Sequence, residues 1–352
     1  MKYRAGGVAV SVLVTILVPA ARVGASESCR PVSIPVRLAA GLAADQQVAA
    51  TLCAPPGSEA HPLQVLMAGA TYGREYWDFG FEPAAYSFVR SMDRQGLATL
   101  NVDRLGIGAS SHPPSGSLTV DSEAFVLDQL VGATRRGDLG RPWRRVVTTG
   151  HSTGSAIAAI HAARFGDVDG VVLTGWLHSP KQSIAHAALT FYPADLDGRF
   201  RGRGYDTGYV TTRPATRGAS FYNLATADPA VVARDEATKE TMTGAEGASV
   251  LGKLYEESAL GASLDSVTAP VLIGAGEQDG FFCGPPDGMD CTTPADVVRA
   301  ERRHYPNAVR FDAVVGPGGG HDLNLHPGAA EVFVAIGRWV CSLNEGKSGV
   351  TR

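Results

Sequence analysis

Apolar and polar positions change rhythm twice along the chain. Val32 to Ala39 and Gln47 to Ala54 alternate in character across Gly41 to Asp45, which predicts two strands joined as a hairpin. Short, almost wholly apolar runs then take turns with longer one-sided stretches. Strands are expected at Leu63 to Ala68, Ala98 to Val102, Arg145 to Thr149 and Gly170 to Leu173, with helices at Pro83 to Gln95, Ser122 to Arg136 and Ser155 to Phe165. In the second helix Phe125, Leu127, Leu130, Val131 and Thr134 fall near one face. Strands that are apolar on both sides, separated by helices, imply a parallel sheet covered on both faces.

From Leu177 to about Gly261 the alternation fails. Pro193, Pro214 and Pro229, several glycines and scattered aromatic residues give way to charged helical stretches such as Pro229 to Thr241. The segment reads as an insertion over the sheet. It enters beyond the carboxyl end of a strand, where open α/β sheets place their ligands, so a cap that shapes a substrate pocket is favoured over a purely structural excursion. The core rhythm resumes with the strand Val271 to Ala275, the helix Pro294 to Tyr305, the strand Arg310 to Val315 and the helix Pro327 to Ser342. The expected fold class is α/β. The chain divides into a leader at 1–25, a first core part at 26–176, the insertion at 177–261, a second core part at 262–343 and a tail at 344–352.

A chain of 352 residues with 44% hydrophobic content can bury a large core. Lys2 and Arg4 precede an apolar stretch from Val8 to Val18, and Val23, Gly24 and Ala25 offer small residues for cleavage, the pattern of a secretory signal. That stretch is short for a membrane span, so no stable membrane insertion is expected once it is cleaved and the protein is expected outside the cell. The leader carries three basic residues and no acid, so its removal takes the net charge from −4 to −7. Mild acidity without basic runs argues against nucleic acid as a partner. Five cysteines in an exported chain suggest disulfides. Cys29 and Cys53 lie at opposite ends of the first hairpin, and Cys283 and Cys291 close a short loop rich in Pro and Gly, so these are the preferred pairs. Cys341 is left over in an apolar helix pattern and is expected as a buried thiol.

The chemistry starts at Gly150, His151, Ser152, Thr153 and Gly154, a G-x-S-x-G directly after an apolar strand and before a helix of small residues. Glycines at both ends permit the close approach of strand and helix that a sharp turn needs, and the turn presents Ser152 as a nucleophile. A serine needs a base, and the base needs an orienting acid. The strand at Val271 ends in Glu277, Gln278 and Asp279, and the strand at Arg310 leads through a glycine run to His321. The order Ser152, Asp279, His321 is the one expected when the three sit at ends of strands in one sheet. Glu277 competes with Asp279 as the acid, and His326 with His321 as the base. His151 reads as a packed neighbour of the nucleophile. His112, His161, His178, His186 and His304 show no pair at metal-ligand spacing, and no cofactor motif is present.

These features together resemble the α/β-hydrolase superfamily, and in particular secreted bacterial enzymes of esterase or lipase type. Asp103 to Ser110 is similar to the family's D-x-x-G-x-G-x-S turn, with Asp103 expected to tie down its own turn. Leu66 to Ala70 corresponds to the strand that usually ends in His-Gly, with Ala68 standing where the histidine would be. The resemblance implies an α/β-hydrolase fold, a mostly parallel sheet with helices on both faces and an inserted cap. It also implies an oxyanion hole made by the amides of Ala70 and Thr153. Tyr72, Trp77, Trp176, Phe281 and Phe282 flank strand ends and would make an apolar binding wall. The expected activity is hydrolysis of carboxylic esters, of esterase, lipase or lactonase type, on a small-molecule or lipid-like substrate without a cofactor. Peptidase, thioesterase and cofactor-free haloperoxidase activity use the same three residues and stay open, as does a non-catalytic binding protein on this scaffold. Serine rather than aspartate at position 152 disfavours haloalkane dehalogenase and epoxide hydrolase chemistry.

Overall fold

A computed structural model describes residue 1 and residues 28–255 and 264–344. The expected leader, the far end of the insertion and almost all of the expected tail lie outside the described residues. Eleven strands are described: β1 (Cys29–Val36), β2 (Gln46–Cys53), β3 (Leu63–Met67), β4 (Thr99–Val102), β5 (Val146–His151), β6 (Gly170–Thr174), β7 (Phe191–Pro193), β8 (Tyr209–Thr212), β9 (Met242–Thr243), β10 (Val271–Gly276) and β11 (Phe311–Gly316). The α-helices are α1 (Pro83–Tyr86), α2 (Phe88–Arg94), α3 (Val120–Arg136), α4 (Thr153–Phe165), α5 (Ser183–Ala188), α6 (Arg217–Phe221), α7 (Pro229–Thr238), α8 (Gly244–Tyr255), α9 (Pro294–Glu301) and α10 (Ala329–Ser342).

Eight strands form one sheet in the order β1-β2-β4-β3-β5-β6-β10-β11. β2 runs antiparallel to both β1 and β4, and every other pairing in the sheet is parallel. This is the α/β-hydrolase fold. β3, β4, β5, β6 and β10 are buried along their whole length, which is why they read as short segments without Lys, Arg, Asp or Glu. All parallel strands end at the same sheet edge, so the loops after β3, β5, β6, β10 and β11 are neighbours.

The helices follow from ordinary local chemistry. α3 opens with a capping box in which Thr119 and Ser122 exchange side-chain to backbone bonds, and it closes on Gly137 at φ 85°. α10 buries Val332, Phe333, Ile336, Trp339 and Val340, a stripe at helical spacing. The single helix expected from Pro83 to Gln95 is two, because Ser87 is extended and its Oγ accepts from the Arg90 amide at 3.0 Å, restarting the helix. The helix expected to reach Tyr305 leaves α geometry after Glu301 for a tight turn.

The disulfides are Cys29–Cys53 and Cys283–Cys291. The first joins residues directly opposite each other in the β1–β2 pair, which explains why β1 starts three residues earlier than its alternation suggests. The second closes a loop whose carbonyls at Cys283, Gly284 and Pro285 all accept from Lys181 Nζ, at 2.9, 3.2 and 3.2 Å. Cys341 is half-buried on α10 rather than fully buried.

Between β6 and β10 the chain leaves the sheet. Among the described residues it forms a small antiparallel sheet, β7-β8-β9, together with α5 to α8. Its strands are three, four and two residues long, too short to leave a period in the sequence. No described helix is long and apolar enough to cross a membrane.

Candidate active site

The site is built around the turn between β5 and α4. Ser152 sits in that turn with φ 52° and ψ −118°, a conformation that a residue with a Cβ adopts only under constraint. The constraint comes from both sides. The Ser152 amide donates to the Thr174 carbonyl on β6 at 2.8 Å, and the Ser152 carbonyl accepts from Ser155 at 2.8 Å inside α4. A Cβ on Gly150 would lie 2.4 Å from the Gly154 carbonyl oxygen, and one on Gly154 would lie 2.1 Å from that of Met67. The two glycines therefore answer a packing demand, since α4 lies directly on the ends of β5 and β3.

The turn delivers Ser152 Oγ to 2.9 Å from His321 Nε2, and His321 Nδ1 lies 3.0 Å from Asp279 Oδ2. His321 follows β11 and Asp279 follows β10. The other carboxylate oxygen of Asp279 accepts from the Phe281 amide at 2.9 Å, which fixes the carboxylate toward the imidazole. Burial alone would lower the pKa of His321. The charge of Asp279, its hydrogen bond and the nearby charge of Asp322 outweigh burial and raise it above the ordinary imidazole value. Nδ1–H donation to Asp279 leaves Nε2 as the acceptor facing Ser152, the arrangement of a general base.

The competitors are otherwise engaged. Glu277 accepts from the Gly318 amide at 2.8 Å, holding the turn after β11. His326 Nε2 accepts from the amides of Asn223 and Gly320, both at 3.1 Å, while Nδ1 bonds the Asp322 carbonyl at 3.0 Å. Asp103 does tie down its turn, accepting from Ala109 at 3.1 Å, and it also holds the Arg74 amide at 2.9 Å.

A second buried set of polar groups stands behind the first. His151 Nε2 lies 3.1 Å from Asp322 Oδ1, its ring stacked on Tyr76 at 4.4 Å between centroids. Burial, with the charge of His321, holds His151 well below the usual imidazole range, so it is neutral. The other oxygen of Asp322 accepts from the Tyr72 hydroxyl. Asp235, on α7, lies 3.0 Å from the same Tyr72 hydroxyl, whose single proton the two carboxylates share, and accepts from Tyr222 at 2.9 Å and from Arg217 through two bonds of 2.9 and 3.0 Å. Arg217 in turn bonds Thr71 Oγ1 at 2.8 Å and lies 4.0 Å from the Tyr72 ring centroid. The ion pair lies within the inserted segment, and its two members reach out to Thr71 and Tyr72 after β3, so hydrogen bonds and a cation–π contact tie the segment to the end of the sheet.

Above Ser152 and His321 lies a cavity of about 340 Å³. Trp176, Phe281 and Phe282 line it, as does Phe221, whose ring stands edge-on to Phe281 at 6.0 Å. Ala70 and Thr153 reach it beside Ser152. Tyr72 and Trp77 do not: Tyr72 is committed to the two carboxylates, and Trp77 is fully buried between Tyr76 and Phe88, each 5.1 Å away in edge contact. The remaining wall comes from the insertion, including Ile184, Phe191, Val250, Leu251 and Leu254. Sequence reasoning missed these because the segment carries no period that tells an inward from an outward position. No Lys, Arg, Asp or Glu lines the cavity among the described residues.

Two clusters could offer three ligand atoms to a metal: His178 with Glu301 and His304, and His161 with Asp128 and Asp167. In each cluster one member is distant in sequence from the other two, His178 in the first and Asp128 in the second, which hid them. In the first, His178 Nδ1 is bonded to Glu301 at 2.6 Å and the two imidazoles are stacked at 4.1 Å between centroids. In the second, burial followed by the charge of Arg135 lowers His161 to about 3.

Residues 64–332 match the model of a family described as "Alpha/beta hydrolase family". Solved structures of similar fold include a monoacylglycerol lipase from Paleococcus ferrophilus, with 18% identity over 85% of this chain and 99% of that one and a TM-score of 0.54. A thermophilic esterase from Thermogutta terrifontis has 17% identity over 90% and 99%, with a TM-score of 0.56. A lipase in its open form has 17% identity over 90% and 99%, with a TM-score of 0.57. No curated protein sequence matches the chain.

Proposed function

The chain belongs to the alpha/beta hydrolase family, and from that premise we propose that it is an exported serine hydrolase of carboxylic esters with apolar acyl groups. The observation that carries this reading is the hydrogen-bonded line from Ser152 through His321 to Asp279 at the floor of an uncharged, aromatic cavity. Ser152 Oγ attacks the ester carbonyl while His321 Nε2 takes its proton. The carbonyl π electrons move to oxygen, which the amides of Ala70 and Thr153 receive. His321 then gives the proton to the leaving alkoxide, and the acyl-enzyme is hydrolysed by water in the same sequence. Asp279 fixes the tautomer of His321 and stabilises the imidazolium.

The apolar lining favours an ester of an apolar acid over a peptide, whose amide groups would lose hydration there without partners. In this reading residues 177–261 are a cap, and its inward face selects the acyl group. Export accords with the leader pattern at 1–25 and with the two disulfides.

Ser152→Ala is expected to abolish turnover of short p-nitrophenyl esters and labelling by a fluorophosphonate, with an unchanged circular dichroism spectrum. Ester turnover that persists in this variant overturns the assignment.

A further inference from the structure

The segment Ala68 to Ala70, which the resemblance marks as the oxyanion loop, is held by a buried arginine. Arg104, in the turn after β4, is almost wholly buried. Its Nε donates to the Ala68 carbonyl at 3.0 Å and its Nη2 to the Gly69 carbonyl at 3.1 Å. The Gly69 carbonyl also accepts from Tyr72 at 3.3 Å, closing a turn whose third residue, Thr71, has φ 59°. On the opposite side the same segment lies against the elbow, since a Cβ on Gly69 would come within 3.2 Å of Ser152 Cβ. The loop therefore runs between a guanidinium on one side and the nucleophile on the other.

In a trans peptide the N–H points opposite to the preceding C=O. Fixing the Gly69 carbonyl on Arg104 thus turns the Ala70 amide away from Arg104, toward the cavity that Ala70 and Ser152 both line. The guanidinium is itself held: its Nη1 is paired with Glu246 on α8, and Glu246 is buried. Glu123 on α3 lies within electrostatic reach. Burial, opposed by the charge of Arg104 and reinforced by that of Glu246, pushes its carboxyl up to about 8.

We propose that Arg104 is a positioning residue for the oxyanion, aiming the Ala70 amide through the Ala68 and Gly69 carbonyls, with Glu246 of the inserted segment holding the guanidinium in that pose. This rests on the hydrolase reading above. It gives the insertion a second role, as part of the support of the catalytic loop.

The test is the charge-balanced variant Arg104→Met with Glu246→Met, which leaves no buried charge unpaired. Its fold is checked by circular dichroism and a thermal melt. On a p-nitrophenyl ester kcat is expected to fall about 100-fold, the scale of one lost oxyanion donor, with KM within about threefold. A trifluoromethyl ketone separates positioning from structure. Ser152 Oγ adds to its carbonyl carbon, the proton passes to His321, and the oxygen becomes an oxyanion, so its affinity should fall by the same factor as kcat. The matching trifluoromethyl carbinol forms no oxyanion and should bind as before.

Unchanged kcat and ketone affinity overturn the proposal, and so does an equal loss of ketone and carbinol affinity. If the double variant does not fold, Arg104→Lys takes its place, because an ammonium can pair with Glu246 yet cannot hold two carbonyls in a fixed fork. The same split, of about tenfold, is then expected, and its absence overturns the proposal. Activity that survives Ser152→Ala would instead mark failure of the hydrolase reading itself.

Discussion

Arg217→Met should cost about 3 to 5 kcal/mol of folding free energy at pH 8, the scale of breaking a buried ion pair by removing one partner. Arg217 and Asp235 are both buried and joined by two hydrogen bonds of 2.9 and 3.0 Å. The loss is therefore the desolvated carboxylate left behind, and the hydroxyls of Tyr72 and Tyr222 only partly offset it. The pH dependence has a definite sign. Burial raises the Asp235 pKa above its unfolded value, while the charge and hydrogen bonds of Arg217 pull it down. A carboxyl with a raised folded pKa binds protons more readily when folded, so stability falls as pH rises through that value and returns below it. Removing Arg217 raises the pKa further. The deficit of the variant is thus largest at high pH and shrinks as pH falls and Asp235 takes up its proton.

Chemical denaturation of the parent, Arg217→Met, Asp235→Leu and the double variant, at pH 8 and over a series of falling pH, measures this as a cycle. The double variant should recover most of the loss at pH 8, since no buried charge remains unpaired. A loss below about 1 kcal/mol in Arg217→Met, or a loss that stays equal as pH falls, would refute the reasoning.

The acid limb of kcat/KM should lie above the ordinary imidazole value of about 6.5, because Asp279 and Asp322 raise His321 and activity needs its neutral form. In Asp279→Asn that limb should move to lower pH while kcat drops by about 1,000-fold or more; a limb that stays in place would show that Asp279 does not set the charge of the base. Across a series of p-nitrophenyl esters kcat/KM should climb about fourfold per acyl methylene until the 340 Å³ cavity is filled, from about 0.8 kcal/mol per buried methylene. Leu251→Trp, in the cavity wall, should flatten the series at a shorter chain, and a profile already flat from acetyl to octanoyl in the parent would rule out the cavity as the acyl site.

The parts of the fold that were legible in the sequence are those whose pattern is local. β3 to β6 and β10 are buried on both faces, so they show as short segments free of Lys, Arg, Asp and Glu without any knowledge of partners. The turn at Ser152 was legible because its glycines fall in one pentapeptide, although only Gly150 answers a local contact, with Gly154 and Ser155, whereas Gly154 answers the distant Met67 and Ala68 carbonyls. The insertion was not. β9 is two residues long, and α6 is a single turn whose Arg217 faces inward, against the usual polar-outward expectation. The polar supports of the site were hidden most completely. Arg104 meets Glu246 across 142 positions, and Tyr72 meets Asp322 across 250; a partner that distant leaves no trace in spacing. The misplacement of Tyr72 follows directly, since an aromatic residue beside a strand end looks the same whether its hydroxyl is free or claimed by two carboxylates.

The pairings at the elbow are crossed. Ser152 meets His321, and the residue before it, His151, meets the residue after that histidine, Asp322. One such bond would act as a hinge, around which the loop after β11 could swivel and carry the imidazole off line. Two adjacent bonds act as a pair of pins, and a plate held by two pins does not swivel. A slip of one residue on either side would break both bonds at once. In the proposed mechanism, the second pin keeps His321 in line with Ser152 while it carries the proton to the leaving group.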